Sequence, residues 1–194
     1  MGRPREFDFD DTLERAIQTF WANGYEATSI DDLCAATGLG RSSLYAAYGD
    51  KQAIYTQALE RYEQNAVARI GATIANARSV REGIAAFVQR IIDDIVAGPG
   101  RRGCFIGNCA AEIVRGDRSH AARVRRSLER IETTFAEALA IARANGELSK
   151  TVNVAALARF LTAGIQGLRL VGKANPDRKA LEDVAAVMLR CFEN

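Results

Sequence analysis

The chain has 194 residues, 48% of them hydrophobic and 26% charged, with a formal net charge of +2. That is the profile of an ordinary soluble globular protein, with apolar material enough for one domain or two small ones. No run approaches the roughly 18 apolar residues of a membrane span, and the start, MGRPREFDFDD, lacks the apolar stretch of a secretory signal. The expectation is a cytoplasmic protein with no membrane partner.

Four cysteines, Cys34, Cys104, Cys109 and Cys191, suit that compartment as reduced thiols. None forms a C-x-x-C pair and His120 is the one histidine, which speaks against a structural zinc site. On a single helix the side chains of Cys104 and Cys109 diverge by roughly 140°, so a bridge between them is not expected. Residues 1–52 hold five basic groups against nine acids, a balance of −4 that leaves +6 for the remainder. Bulk charge alone therefore argues against a polyanion site near the N-terminus, and position has to decide.

Helical periodicity runs through the chain and strand signals are nearly absent. A first helix over about Asp10–Asn23 puts Leu13, Ala16, Ile17, Phe20 and Trp21 on one stripe, with Asp10, Asp11 and Glu14 at its positive end. Gly24 reads as its left-handed cap. Ser29 and Asp32 form a capping-box-like pair for a second helix, which Gly38 closes. The acids near these ends thus have helix-terminal roles, which weakens the objection from net charge.

Between Gly38 and Gly49 there is room for only a two-turn helix, too short to stand alone in water. Leu44, Tyr45 and Tyr48 are placed to bury against the first helix, leaving Arg41, Ser42, Ser43, Ala46 and Ala47 free. The tight turn at Gly38 has the look of a helix-turn-helix. Small residues on the free face let the helix backbone approach another surface closely, as entry into a major groove requires.

A long helix follows from about Lys51 to Ala77, then a stripe from Ile84 to Ile95 ended by Gly98-Pro99-Gly100. Further helices are expected over about Cys104–Val114, Ser119–Asn145, and two more around Leu157–Val171 and Leu181–Phe192. The fold expected is all-α with about nine helices. Trp21 reads as core, His120 as a solvated surface residue, and the arginines between Arg101 and Arg130 as a solvated face. No Ser-His-Asp, metal or phosphate-loop arrangement is visible, so neither an enzyme nor a cofactor is expected.

The run AIQTFWANGYEATSIDDLCAATGLGRSSLYAAYGDKQAIY, from Ala16 to Tyr55, resembles the N-terminal domain of TetR-family transcriptional repressors. Phe20, Gly24-Tyr25, Ala27-Thr28-Ser29, Leu33, Gly38, Leu44-Tyr45, Tyr48 and Lys51 carry the likeness. It implies a helix-turn-helix DNA-binding domain over residues 1–50 and a helical ligand-binding and dimerisation domain over 51–194. It also implies that Arg41, Ser42, Ser43 and Tyr45 face the groove, with Thr28, Tyr48 and Lys51 on phosphates. Gly40 and Ala47 depart from the family's pattern, which puts phosphate contacts at those two positions in doubt. Arg3-Pro4-Arg5 forms a basic arm suited to a minor groove, or else a start that contacts nothing.

The same resemblance implies a homodimer through the last two helices, about 153–192, and a small-molecule effector held among helices four to eight. Phe87, Ile91, Phe105, Asn108, Glu112, Phe135 and Gln166 are the candidate lining. The function implied is a ligand-responsive repressor released from a palindromic double-stranded operator. The alternative is a thiol- or redox-responsive regulator using Cys104 or Cys109, since Cys104 lies near a helix N-terminus beside two arginines.

Overall fold

Side chains set most helix starts in the computed structural model, which describes residues 8–112 and 118–192. Asp8 opens α1 (Phe9–Asn23), its carboxylate accepting from the Asp10 and Asp11 amides at 2.8 and 3.2 Å. At α2 (Ile30–Thr37) the Ser29 hydroxyl accepts from the Asp32 amide at 3.1 Å, and the Asp32 carboxylate accepts from the Ser29 amide at 2.8 Å. The Ser29 hydroxyl also donates to the Asp32 carboxylate at 2.7 Å, and this bond first, then the Ser29 amide, holds that carboxyl below its ordinary range. The cap therefore stabilises α2 above that range and is lost as pH falls through the lowered value. Asp50, Ser79, Asn153 and Asp177 likewise cap α4 (Lys51–Ala75), α5 (Val80–Ala97), α8 (Val154–Ala174) and α9 (Arg178–Leu189).

One exception is α3 (Arg41–Tyr48), whose N-cap is Gly40 and has no side-chain bond. Packing holds it instead: Leu44 is fully buried, and Tyr48 is buried with its hydroxyl donated to the Phe9 carbonyl at 2.9 Å. Tyr45, expected to pack with them, is 44% exposed. A short 3-10 turn (Pro99–Arg102), α6 (Phe105–Ala111) and α7 (Arg118–Ala144) complete the all-α architecture, with a last 3-10 turn at Arg190–Phe192. No strand occurs among the described residues.

α1 lies on α2 and α4, while α4, α5, α7 and α8 pack on one another around a shared core, with α9 against α5 and α8. Phe87, Ile91, Phe105 and Phe135 belong to that core, each 7% exposed or less. Phe87 meets Phe135 edge to face with ring centroids 6.2 Å apart. These four, expected along an effector cavity, are packed into the core.

Gly38 closes α2 in the left-handed conformation (φ 73°, ψ 9°), whereas Gly24 combines φ 81° with an extended ψ of 171°. Gly24 is thus not the expected left-handed cap. Its geometry turns the chain so that a Glu112 carboxylate oxygen lies 2.6 Å from where a Cβ would be, a place only glycine leaves open.

By length and composition α8 is apolar enough to cross a bilayer, with a mean hydropathy of 1.3 over its best window. The expectation that no segment approaches this is corrected, and two separate faces account for the composition. Leu157, Leu161, Ile165 and Leu168 are buried in the core, while Phe160 and Val171 stand exposed on another side.

Candidate nucleic-acid interface and cavity

Packing of Leu44 and Tyr48 leaves the opposite face of α3 open: Arg41, Ser42, Ser43, Tyr45 and Ala46 are all exposed. Arg41 is held by Asp31, ten residues earlier on α2. Its Nε donates to Oδ1 at 2.9 Å, and its Nη2 to Oδ1 and Oδ2 at 2.8 and 2.7 Å. Nη1 has no acceptor among the described residues, so one edge of the guanidinium is occupied and the edge ending in Nη1 remains available.

Lys51 sits in the first turn of α4, its Nζ 4.4 Å from the Tyr25 ring centroid and donating to the Glu26 carbonyl at 3.4 Å. Its charge is therefore placed beside the α1–α2 turn. Two expected phosphate contacts are not available in this arrangement. Thr28 is 1% exposed and gives its hydroxyl to the Gly24 carbonyl at 2.6 Å. Tyr48 has spent its own on Phe9, and burial pushes that phenol up. Arg3 and Arg5 lie outside the described residues.

The helix-turn-helix is fastened to the body through Tyr25. Its backbone N–H donates to Glu112 at 3.0 Å, and its ring lies 4.7 Å from that of Tyr55 on α4. Tyr55 in turn stacks on His120 of α7, with centroids 5.1 Å apart and planes at 27°. His120 is thus half-buried against an aromatic ring rather than solvated.

A cavity of about 510 Å³ opens between the end of α1, α6, α7 and α8. Asn108, Glu112 and Gln166 line it, as expected, together with Trp21, Cys104, Leu128, Arg169 and Lys173. Trp21, expected in the core, is half-buried on its wall. Gly107 faces Gln166 so closely that a Cβ would fall 2.7 Å from the amide oxygen. The Cys104 sulfur accepts from the Tyr62 hydroxyl at 3.7 Å and the Gln166 amide at 3.5 Å. Cys109 is 2% exposed, and burial pushes its thiol up to about 12.

The arginines expected to be solvated divide. Arg102 lies 4.5 Å over the Trp21 ring, and Arg123, its side chain 16% exposed, reaches the buried Glu63 carboxylate at 3.2 Å. Asp31, Trp21, Arg169 and Lys173 carried no signal that sequence reasoning could use. Each matters only through neighbours brought to it by the turns of the chain.

A short helix with an open, arginine-bearing face, held at a tight turn and carried on a helical body, defines a helix-turn-helix DNA-binding protein. Residues 13–58 match the bacterial regulatory proteins of the tetR family, and residues 66–188 match the tetracyclin repressor-like C-terminal domain. The chain belongs to the TetR family of DNA-binding transcriptional regulators; these are not enzymes. It is 32% identical to the HTH-type transcriptional regulator YezE of Bacillus subtilis, over 100% of both chains. It is also 32% identical to the HTH-type transcriptional repressor ComR of Escherichia coli, covering 98% of this chain and 91% of ComR. Among solved structures, a cysteine mutant of the TetR-family regulator CifR, complexed with 26-bp double-strand operator DNA, has a TM-score of 0.87. That similarity comes at 28% identity and covers 97% of this chain and 98% of CifR.

Proposed function

We propose that this protein is a cytoplasmic homodimeric repressor that leaves a palindromic operator when a small molecule enters its body. The exposed α3 face carries the reading: Ser42, Ser43 and Ala46 clear the way for the backbone, and Arg41 offers its free edge to a guanine. Tyr45 adds an exposed ring to the same face, and Lys51 a charge for the phosphates. Arg3 and Arg5 are the arm for the neighbouring minor groove. Residues 1–50 form the DNA-binding unit and 51–194 the effector-binding and dimerisation unit.

Effector release has a physical route in Glu112, which touches both the cavity and the Tyr25 amide. A ligand that displaces α6 changes how the α1–α2 turn is held, and so favours one orientation of α3 over another. Gel shifts with DNA from the protein's own upstream region test this. Arg41→Ala is expected to cost about 1–3 kcal/mol of operator binding and Lys51→Ala a smaller, sequence-independent loss. Binding by both variants as tight as the parent's sinks the assignment.

A second reading, in which a thiol is the trigger, draws on Cys104 alone, because that sulfur lines the cavity. Cys109, buried and held as a thiol, does not support it. Unchanged sensitivity of DNA binding to peroxide in Cys104→Ser removes this reading.

A further inference from the structure

We infer that the cavity between α1, α6 and α8 takes a small organic anion, an apolar body bearing one carboxylate. In making that anion the effector, the inference rests on the repressor reading above.

The charges around the cavity do not balance. Arg169 and Lys173 line it from α8, and Arg102 borders it over the Trp21 ring. None of the three forms an ion pair with an acid among the described residues; Arg102 donates instead to the neutral Gln18 amide oxygen at 2.7 Å. Glu112, the acid of the lining, already accepts from the Tyr25 amide. Trp21 lines the wall as a half-buried ring with Arg102 lying over it.

A second hollow in the molecule shows what a balanced site looks like. The recess of about 410 Å³ between α4 and α7 also holds three arginines, Arg123, Arg126 and Arg130, but sets three acids, Glu60, Glu63 and Glu129, among them. Arg123 pairs there with Glu60 and Glu63, and Arg130 with Glu63. At the α1–α6–α8 cavity the missing partner is negative.

The remaining wall specifies the body of the ligand. Leu128, Leu170 and Cys104 give apolar surface, and Gln166 with Asn108 adds amides. Leu170 and Lys173 are exposed, so the cavity opens to solvent beside a cation. A cationic ligand meets repulsion there, and a neutral one leaves the arginine and lysine without a counter-charge.

The test uses the full chain without DNA, in calorimetric titration and thermal melting. The probes are benzoate, phenylacetate and octanoate, each compared with its primary amide. At least one acid is expected to raise the melting temperature and to bind about tenfold or more tightly than its amide. Arg169→Gln is expected to abolish that preference. If Arg169→Gln lowers the melting temperature of the ligand-free protein, Lys173→Gln, at an exposed position, takes its place and is expected to weaken acid binding. Amides that bind as well as acids, no binding by any acid, or a variant that keeps the full preference each overturn the inference. Adding the acid that binds to the complex with upstream DNA separates the two claims. Acid bound with DNA retained leaves the anion site standing and removes the effector-released repressor.

Discussion

At the scale of single residues, Asp31 sets the plane in which Arg41 would meet DNA in the proposed complex. Two of its oxygens hold Nε and Nη2, which fixes the plane of a side chain that otherwise samples many rotamers. A guanidinium held on one edge by a carboxylate presents its other edge with less entropy left to lose on binding a base. The pair itself is solvent-exposed, with side chains 64% and 71% accessible, so it adds little to folding stability. Asp31→Ala is therefore expected to leave the melting temperature within about 1–2 °C of the parent. The same change should narrow the ratio between operator and random-sequence affinity by roughly threefold to tenfold, because orientation is lost and an acid near the phosphates is removed. Competition gel shifts measure that ratio. Tighter operator binding with the ratio unchanged means that Asp31 merely sequesters Arg41 in the free protein.

Among the elements, α4 and α7 are joined through a buried acid. Glu63 is 4% exposed, accepts from Ser127 at 2.8 Å and Arg123 at 3.2 Å, and forms an ion pair with Arg130 at 2.9 Å. Removing it leaves Arg123, with its side chain 16% exposed, to Glu60 alone at 3.3 Å, while Arg130, 66% exposed, turns to water. Glu63→Ala should cost about 3 kcal/mol, the lower end for breaking a buried pair, and lower the melting temperature by roughly 6–12 °C. Calorimetry reads it directly, and a loss of less than a third of that shows the cluster to be structurally idle. None of this was legible in the sequence, where Glu63 is one acid in a charged helix and Arg123 one of a run. What the sequence did show was local: the Ser29–Asp32 box, the Leu44 and Tyr48 anchors of α3 and the stripe of α5. Caps and stripes depend on residues three or four apart, and the chain carries that information openly. A stripe cannot tell a core wall from a cavity wall, and Phe87 and Phe135, expected along a cavity, meet edge to face in the core. Likewise Thr28 and Tyr48 were read by position alone, and only the folded chain reveals the carbonyls that take their hydroxyls.

At the scale of the whole molecule, α8 and α9 leave apolar side chains exposed among the described residues. Phe160 and Val171 of α8 are 46% and 53% exposed, and Val184 and Val187 of α9 are 44% and 56% exposed. Gly167, with nothing near its missing Cβ, lets another helix approach α8 closely. Gly164, one turn earlier on α8, is already occupied within the subunit by Met188, 2.9 Å from where its Cβ would lie. In the proposed homodimer a second copy docks on this face by two-fold symmetry, which would make a four-helix contact and set two α3 helices at a fixed separation. An operator with half-sites roughly 34 Å apart requires that pairing, since one α3 with few contacts holds DNA weakly. Phe160→Glu places a charge in the proposed contact without touching the core, so each chain stays folded. Sedimentation is expected to show a monomer, with helical circular dichroism unchanged and operator affinity reduced at least about a hundredfold. A variant that remains dimeric and binds the operator normally moves the interface away from α8.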